Sequence, residues 1–165
     1  MNMFYSFIIR RATVEDAPAV FSILQRAFIE YSKITGQSNL EALSETIEDI
    51  KKEIETKAVY IAVIDNNILG TVRLDINGNE AYLSRFAVDS NNRNSGIGKS
   101  LISVVDSYLK EMGVKKVTLH TSSKHDVLMR FYYGRGFYVE AIETDRGYLR
   151  ARMVKEYNKL LNISK

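Results

Sequence analysis

The sequence contains no cysteine, and its 165 residues include one proline and two histidines. Without cysteine the chain has no disulfide, no thiolate zinc site and no cysteine nucleophile for a covalent intermediate. His120 and His125 are too few for a histidine-rich metal site, so we expect no bound metal. One proline and nine glycines also exclude a long low-complexity linker.

The charge balance of the chain is nearly even. Lysine and arginine total 23 against 20 acidic residues, a net charge of +3. This surplus does not indicate a nucleic-acid partner, but it suits a site for a small polyanion. No stretch approaches the roughly 20 apolar residues that span a bilayer. Met1–Ile9 has neither a basic segment nor a small-residue cleavage site, so we expect a cytoplasmic protein with no membrane partner.

The first half of the chain predicts a strand, two helices and three further strands. The predicted helices begin at Thr13 and near Leu40, and the second reaches Lys57. Turn residues at 65–67 and 77–78 separate the later strands, which should form an antiparallel meander. The predicted strands are Ser6–Ala12, Val59–Ile64, Ile68–Ile76 and Ala81–Val88.

The second half changes pattern. A helix over Gly98–Met112 separates strand 81–88 from strand Val114–Thr121, so these two strands should be parallel neighbours in a βαβ crossover. A short helix to Tyr133 and a closing hairpin of Phe137–Glu143 and Tyr148–Val154 follow. We therefore expect an α/β (α+β) fold with a mixed central sheet, in a single domain over residues 1–165.

One glycine-rich segment, Arg93-Asn-Ser-Gly-Ile-Gly98, lies between a predicted strand and a helix that begins near Ser95. Free N–H groups and the positive dipole end at a helix start attract anions. Glycines let phosphate oxygens approach the backbone, and Arg93 can add a guanidinium fork. The same residues would also suit a tight turn that only needs flexibility.

Two phosphate-binding motifs come close without matching. Gly98-Lys99-Ser100 is similar to the end of a P-loop, but that motif requires glycine where Arg93 stands. The Rossmann fingerprint requires a third glycine at the position of Leu101. The antiparallel meander also disagrees with the all-parallel sheet of P-loop enzymes.

The remaining pattern is Arg-x-x-Gly-x-Gly after a strand that ends at Val88, followed later by Phe131-Tyr132-Tyr-Gly-Arg-Gly136-Phe137. Both segments, in this order, resemble the GNAT superfamily of N-acetyltransferases. Its Gln/Arg-x-x-Gly-x-Gly/Ala loop binds the pyrophosphate of coenzyme A, and it carries an aromatic-Tyr-x-x-x-Gly-Phe segment. The predicted element order, over nearly the whole chain, is also similar. The resemblance implies the GNAT acyl-CoA N-acyltransferase fold.

The resemblance also implies a function. It implies that acetyl-CoA donates an acetyl group to a primary amine by direct attack in a ternary complex; a non-catalytic acyl-CoA-binding sensor is the alternative. His125 stands where many relatives have asparagine, and it serves either as a cofactor contact or as a surface residue. The implied cofactor-binding residues are Phe86, Ala87, Val88, Arg93, Asn94, Ser95, Gly96, Ile97, Gly98, Lys99 and His125.

Acetyl transfer needs a neutral amine, hydrogen-bond donors for the developing oxyanion and an acid for the leaving thiolate. The resemblance places the acid at Tyr132 and the oxyanion donor at a backbone N–H near Val88. Glu80 is our candidate base, acting directly or through water, although a solvated hairpin carboxylate explains it equally well. The second predicted helix carries three further acids, Glu41, Glu45 and Glu48. They could attract a cationic amine, or they could simply form a solvated helix face.

The amine acceptor is not identified by the sequence. The first two helices and the closing hairpin, which face substrate in this superfamily, offer Phe28, Tyr31 and Tyr148 among scattered charges. These residues are compatible with a polyamine, an amino acid, an antibiotic, a peptide N-terminus or a protein lysine. An edge strand near the C-terminus is also compatible with a homodimer.

Overall fold

The computed structural model describes residues 6–157. Residues 1–5, part of the segment considered for a targeting signal, and residues 158–165 lie outside this description. The α-helices are α1 (Ala17–Thr35), α2 (Ile47–Thr56), α3 (Ile97–Glu111) and α4 (Asp126–Gly134). The strands are β1 (Ile8–Arg11), β2 (Ala58–Ile64), β3 (Asn67–Asn77), β4 (Glu80–Val88), β5 (Lys116–Ser122), β6 (Tyr138–Glu143) and β7 (Arg150–Glu156).

The seven strands form one sheet in the order β1-β2-β3-β4-β5-β7-β6. Neighbours from β1 to β4 are antiparallel, β4 and β5 are parallel, and β7 lies antiparallel between β5 and β6. The predicted meander, crossover and closing hairpin are therefore confirmed. In this hairpin the second strand, β7, pairs with β5, and the first strand, β6, lies at the edge of the sheet.

Helices cover both faces of the sheet, and β2 shows why both faces are apolar. Its alternate residues Ala58, Tyr60 and Ala62 point into a core with α3, whereas Val59 and Ile61 point into a second core with α1 and α2. Successive side chains of a strand point to opposite faces, so this apolar strand can fill two cores at once. Within residues 6–157, no helix is long and apolar enough to cross a membrane.

The second predicted helix, from Leu40 to Lys57, is wrong in its first part. A single 3₁₀ turn occupies Glu41–Leu43, and α2 begins only after Thr46. The Thr46 hydroxyl accepts a hydrogen bond from the N–H of Asp49 at 3.1 Å, and the N–H of Thr46 donates to the Asp49 carboxylate at 2.9 Å. This reciprocal capping box starts a new helix and leaves the preceding residues free to turn toward the sheet.

A β-bulge at Arg85 interrupts β4. Arg85 and Phe86 together oppose Val72 of β3, and the Arg85 backbone is left-handed, with φ of 52°. The extra residue shifts the alternation of side chains, so that Leu83 before the bulge and Val88 after it point into the same core. The bulge therefore determines which side chains of β4 point to each face of the sheet after Arg85.

Beyond the bulge, β4 and β5 separate. Their parallel pairing covers only Glu80–Tyr82 against Lys116–Thr118. In the described chain, the rest of β4 thus has no strand partner on its β5 side, and a wedge opens at the carboxyl ends of the two strands. In α/β sheets, ligands bind at this kind of opening.

Candidate active site

A cavity of about 320 Å³ occupies the wedge, and we call it the loop cleft. Residues from α1, the end of β4, the 92–99 segment and α4 form its walls. Most residues expected to bind the cofactor line it: Phe86, Ala87, Val88, Arg93, Asn94, Gly96, Gly98, Lys99 and His125. Two expected residues do not line it: the Ser95 hydroxyl donates to the carbonyl of Asn92, and the Ile97 side chain is buried in the core.

The start of α3 faces the loop cleft. Gly96 precedes the helix in a left-handed conformation with φ of 88°, which glycine adopts without a steric penalty. The first hydrogen bond of the helix runs from the Ser100 N–H to the Gly96 carbonyl at 2.9 Å. The amides of the first turn are therefore left without helical partners, and together with the helix dipole they favour an anion.

Gly98 allows two phenyl rings to pack closely against the start of α3. A Cβ at this position would lie 3.2 Å from Cζ of Phe86 and 3.4 Å from Cζ of Phe131. The two phenyl rings stack with their centroids 5.3 Å apart. An aromatic floor beneath unpaired helix amides suits a molecule with a phosphate group and an apolar arm, as coenzyme A has.

Arg93 is held by the protein itself. Its Nη1 lies 2.5 Å from Oε1 of Glu30 on α1, and its Nε and Nη2 donate to the carbonyl of Val88 at 3.3 and 3.2 Å. The hydrogen bond from Arg93 holds the pKa of Glu30 below its ordinary value. Both side chains remain partly exposed at the mouth of the loop cleft, so an anionic ligand there would compete with Glu30 for Arg93.

His125 caps α4 and lines the loop cleft. Its Nδ1 accepts a hydrogen bond from the N–H of Leu128 at 3.2 Å, and its ring packs on Tyr31 with centroids 5.3 Å apart. Burial lowers the pKa of His125, and the nearby charge of Arg93 adds to this. The imidazole is therefore neutral at pH 7, and because Nδ1 accepts, Nε2 carries the proton and can donate to a ligand.

A second cavity, of about 530 Å³, adjoins the loop cleft, and we call it the hairpin cavity. Four residues line both cavities: Phe28, Tyr31, Phe86 and Leu128. The other walls come from β3, β4, β5, the 40–42 turn and the segment between β6 and β7, including Tyr148. Two ligands could thus meet where the cavities join.

Tyr132 on α4 reaches the hairpin cavity beside this junction. Its ring packs against Phe86, Phe131 and Phe137, and only 3% of the residue is exposed. Burial raises the pKa of Tyr132 well above its ordinary value. Among residues 6–157 the hydroxyl has no hydrogen-bond partner, so it is a protonated donor available to a ligand.

A buried ion-pair network supports the wall of the hairpin cavity. Glu45 accepts hydrogen bonds from Arg73 at 2.8 Å and from Arg85 at 2.9 Å. Burial alone would raise the pKa of Glu45, but the hydrogen bonds from both arginines outweigh it and lower the pKa. The break between the 3₁₀ turn and α2 allows Glu45 to reach the bulge in β4.

Three polar side chains form a hydrogen-bonded chain behind this cavity. The Tyr82 hydroxyl lies 2.6 Å from Nδ1 of His120, and Nε2 of His120 lies 3.2 Å from Oε1 of Glu143. Tyr82 and His120 line the cavity. The sequence showed no sign of this arrangement because the residues come from β4, β5 and β6, and only the strand order brings them together.

Glu80 is not placed with these residues. It lies at the hairpin end of β4, exposed and opposite Lys116, and it lines neither cavity. The wedge opens at the other end of the same strand. We therefore assign Glu80 no part in the site.

The chain is similar to known acetyltransferases. A family model described as Acetyltransferase (GNAT) family matches residues 18–137. Spermidine N(1)-acetyltransferase of Thermoplasma acidophilum is 23% identical over 145 residues, which cover 82% of this chain and 90% of the relative. A crystal structure of PaiA N-acetyltransferase from the same organism, in complex with coenzyme A, matches with a TM-score of 0.81 and 23% identity, over 92% of this chain and 99% of that one. A ribosomal-protein alanine N-acetyltransferase from Escherichia coli matches with a TM-score of 0.74 and 19% identity, over 92% of this chain and 94% of that one.

The match to the family model covers well over half of the chain, so the protein belongs to the GNAT family of acetyltransferases. Its co-substrate is therefore acetyl-CoA. The fold agrees with this membership, since the mixed seven-stranded sheet and its helices superpose on the solved structures named above.

Proposed function

We propose that the protein transfers the acetyl group of acetyl-CoA directly to a primary amine, with both substrates bound at once. The observation that carries the proposal is the meeting of two cavities at Phe28, Tyr31, Phe86 and Leu128. One cavity is built for a phosphate-bearing molecule and the other is lined by polar and charged side chains. The chain has no cysteine to hold an acetyl group, which favours direct transfer.

Acetyl-CoA would lie in the loop cleft. The amides at the start of α3 and Arg93 would hold its pyrophosphate, and Lys99 would contribute a further positive charge. Its pantetheine arm would extend along the free edge of β4, where Phe86–Val88 offer main-chain groups, with Nε2 of His125 as an additional donor. When bound there, acetyl-CoA supplies an activated acyl carbonyl and a thiol leaving group.

We assign the role of general acid to Tyr132. Its phenol is protonated at neutral pH and has no hydrogen-bond partner within residues 6–157, so it can give a proton to the departing sulfur. Packing of the ring against Phe86, Phe131 and Phe137 fixes where the hydroxyl points. A main-chain N–H near Val88 would stabilise the negative charge that develops on the carbonyl oxygen.

The acceptor amine would enter through the hairpin cavity. Three carboxylates line this cavity: Glu41 pairs with Arg146, Glu53 lies near both Lys57 and Arg73, and Asp75 lies 3.9 Å from Lys57. The basic residues of the described lining outnumber these carboxylates, so the wall has no excess negative charge for a second ammonium group; they are Lys57, Arg73, Arg85, Arg146 and Arg150. A monoamine fits this lining better than a polyamine such as the spermidine named for one relative.

Two measurements test the proposal. Calorimetry should show acetyl-CoA binding in preference to ATP, and a thiol-release assay with spermidine, a dipeptide and a lysine-containing peptide should show amine-dependent formation of free coenzyme A. Release should require acetyl-CoA and amine together, with no burst of thiol before the amine is added. Binding without thiol release across the panel would instead indicate a non-catalytic acyl-CoA sensor.

A further inference from the structure

We propose that Tyr82, His120 and Glu143 form a proton relay that deprotonates the acceptor ammonium. The inference rests on the proposed function, because it assigns the proton acceptor which that reaction needs. An alkylammonium has a pKa of about 10, so most of the amine is charged at neutral pH and cannot attack a thioester. Glu80 lies outside both cavities and cannot take this proton.

The hydrogen bonds fix the direction of the relay. An ionised Glu143 can only accept, so Nε2 of His120 must carry the proton across the 3.2 Å contact. In a neutral imidazole the other nitrogen, Nδ1, is then an acceptor. The Tyr82 hydroxyl, 2.6 Å away, donates to it, which leaves the lone pairs of the phenol oxygen for a proton from the cavity.

The charges around His120 support this assignment. Arg152 is its cross-strand neighbour on β7 and lies 3.3 Å from the Glu143 carboxylate through Nε. A second arginine, Arg150, lies 3.8 Å from the same carboxylate. Their charges attract the Glu143 carboxylate and hold it beside Nε2 of His120. Burial raises the pKa of Tyr82 above its ordinary value, although Arg150, Arg146 and Arg85 oppose the shift. The phenol is therefore protonated in the free protein, as a donor to Nδ1 of His120 must be.

The position of the relay suits proton transfer out of the site. Tyr82 is the last residue of β4 that pairs with β5, so it lies at the base of the wedge. It lines the hairpin cavity together with Tyr132 and with Phe28 and Tyr31 of α1. The His120 side chain is 17% exposed, so a proton that reaches it can pass to solvent.

The step conserves atoms and protons. One N–H proton of the ammonium moves to Oη of Tyr82 as the Tyr82 proton moves to Nδ1 of His120, which becomes an imidazolium opposite Glu143. The nitrogen lone pair then forms the N–C bond as the C–S bond breaks and Tyr132 gives its proton to sulfur. The second N–H proton restores Tyr132, and His120 releases the first to solvent.

Tyr82→Phe removes only the hydroxyl and is the principal variant; His120→Gln and Glu143→Gln complete the series. Tyr133→Phe, on the exposed side of α4, is the matched control. We expect kcat/KM for an alkylamine to fall about 100-fold in Tyr82→Phe and His120→Gln, as loss of a general base does, and about tenfold in Glu143→Gln. With an arylamine, which is uncharged at neutral pH, these losses should shrink to a few-fold, and acetyl-CoA affinity should stay unchanged.

NMR spectroscopy can test the relay in the free enzyme, without any turnover of substrate. The ¹⁵N NMR shifts of His120 should show an unprotonated Nδ1 and a protonated Nε2, and Tyr82→Phe should move the Nδ1 resonance because it removes the hydrogen bond to that nitrogen. The relay is overturned if wild-type enzyme acetylates amines but Tyr82→Phe does so equally well, or if alkylamine and arylamine rates fall alike. A wild-type chain that binds acetyl-CoA and acetylates no amine would instead refute the proposed function.

Discussion

Arg93 and Glu30 form an ion pair across the mouth of the loop cleft, with 2.5 Å between Nη1 and Oε1. Arg93 is the charged residue of the glycine loop, and in the proposed complex the pyrophosphate of acetyl-CoA would compete with Glu30 for it. The Glu30 carboxylate would also place a negative charge beside this polyanionic ligand. Binding would then require the ligand to displace Glu30 from Arg93.

We expect Glu30→Gln to strengthen acetyl-CoA binding about two- to fivefold, since one partly exposed ion pair is worth up to about 1 kcal/mol. Titration calorimetry at low and high salt measures this, and the gain should shrink as salt screens the charge. Glu55→Gln, an exposed change on α2, is the control. Weaker binding in Glu30→Gln would show instead that Glu30 positions Arg93 for the ligand.

Tyr132→Phe should lower kcat by about 100-fold, the usual contribution of a positioned general acid. The ring keeps its contacts with Phe86, Phe131 and Phe137, so the melting temperature and the acetyl-CoA Kd should stay unchanged. Steady-state kinetics and calorimetry on the same preparations separate these effects, with Tyr133→Phe as control. If turnover is unchanged, Tyr132 has no chemical role and serves only to pack α4.

Local signals made part of this site predictable. Turn residues and hydrophobic periodicity mark the meander, the crossover and the hairpin, because neighbouring segments determine them. Each of the two motifs, Arg93–Gly98 and the segment around Tyr132, is a short contiguous stretch of sequence. Nine of the residues expected to bind the cofactor line the loop cleft for this reason.

Relationships between distant segments were not predictable. Glu80 was a reasonable candidate because it shares β4 with Phe86–Val88, but the sequence does not show which end of a strand opens. The pairing of Glu30 with Arg93 and the chain from Tyr82 to Glu143 depend on helix packing and strand order. The start of α2 after Thr46 did have a signal, Thr46-x-x-Asp49, but the apolar stripe on both sides of it concealed the capping box.

Glu45→Gln should destabilise the fold by about 3 kcal/mol, because it leaves the buried guanidinium of Arg73 without a full counter-charge. Glu48→Gln, which breaks only an exposed pair with Lys51, should change the free energy of unfolding by less than about 0.5 kcal/mol. Urea denaturation at pH 7 compares the two variants. Equal stability of both would mean that the network around Glu45 contributes nothing.

The same variant has a defined pH dependence. The pKa of Glu45 is lower in the folded than in the unfolded chain, so its stabilising effect is complete above the unfolded value of about 4.3. The effect is lost as pH falls through the lower, folded value. The stability difference between wild type and Glu45→Gln should therefore be constant from neutral pH down to about 5 and shrink on further acidification. Denaturation curves at successive pH values measure this, and a difference that grows on acidification would contradict it.

Gly70 allows α3 to lie directly on β3. A Cβ there would come within 2.8 Å of Cγ2 of Ile97 and 3.0 Å of Cδ1 of Leu101. Gly70→Ala should therefore cost about 1–3 kcal/mol in unfolding free energy, as overpacking a core does. Because Ile97 is the first residue of α3, the displaced helix should also weaken acetyl-CoA binding.

Gly134→Ala is the matched control, since a Cβ at the end of α4 would meet no atom within 4 Å. It should leave acetyl-CoA affinity unchanged and raise stability by up to about 0.5 kcal/mol through helix propensity. Thermal unfolding measures the stability of both variants, and calorimetry measures their affinity for acetyl-CoA.

A Gly70→Ala protein that is less stable but binds acetyl-CoA normally would show that the packing of α3 on β3 does not determine the geometry of its first turn. A protein with normal stability and normal binding would show that β3 and α3 accommodate a methyl group, and the close approach at Gly70 would then have no part in shaping the site.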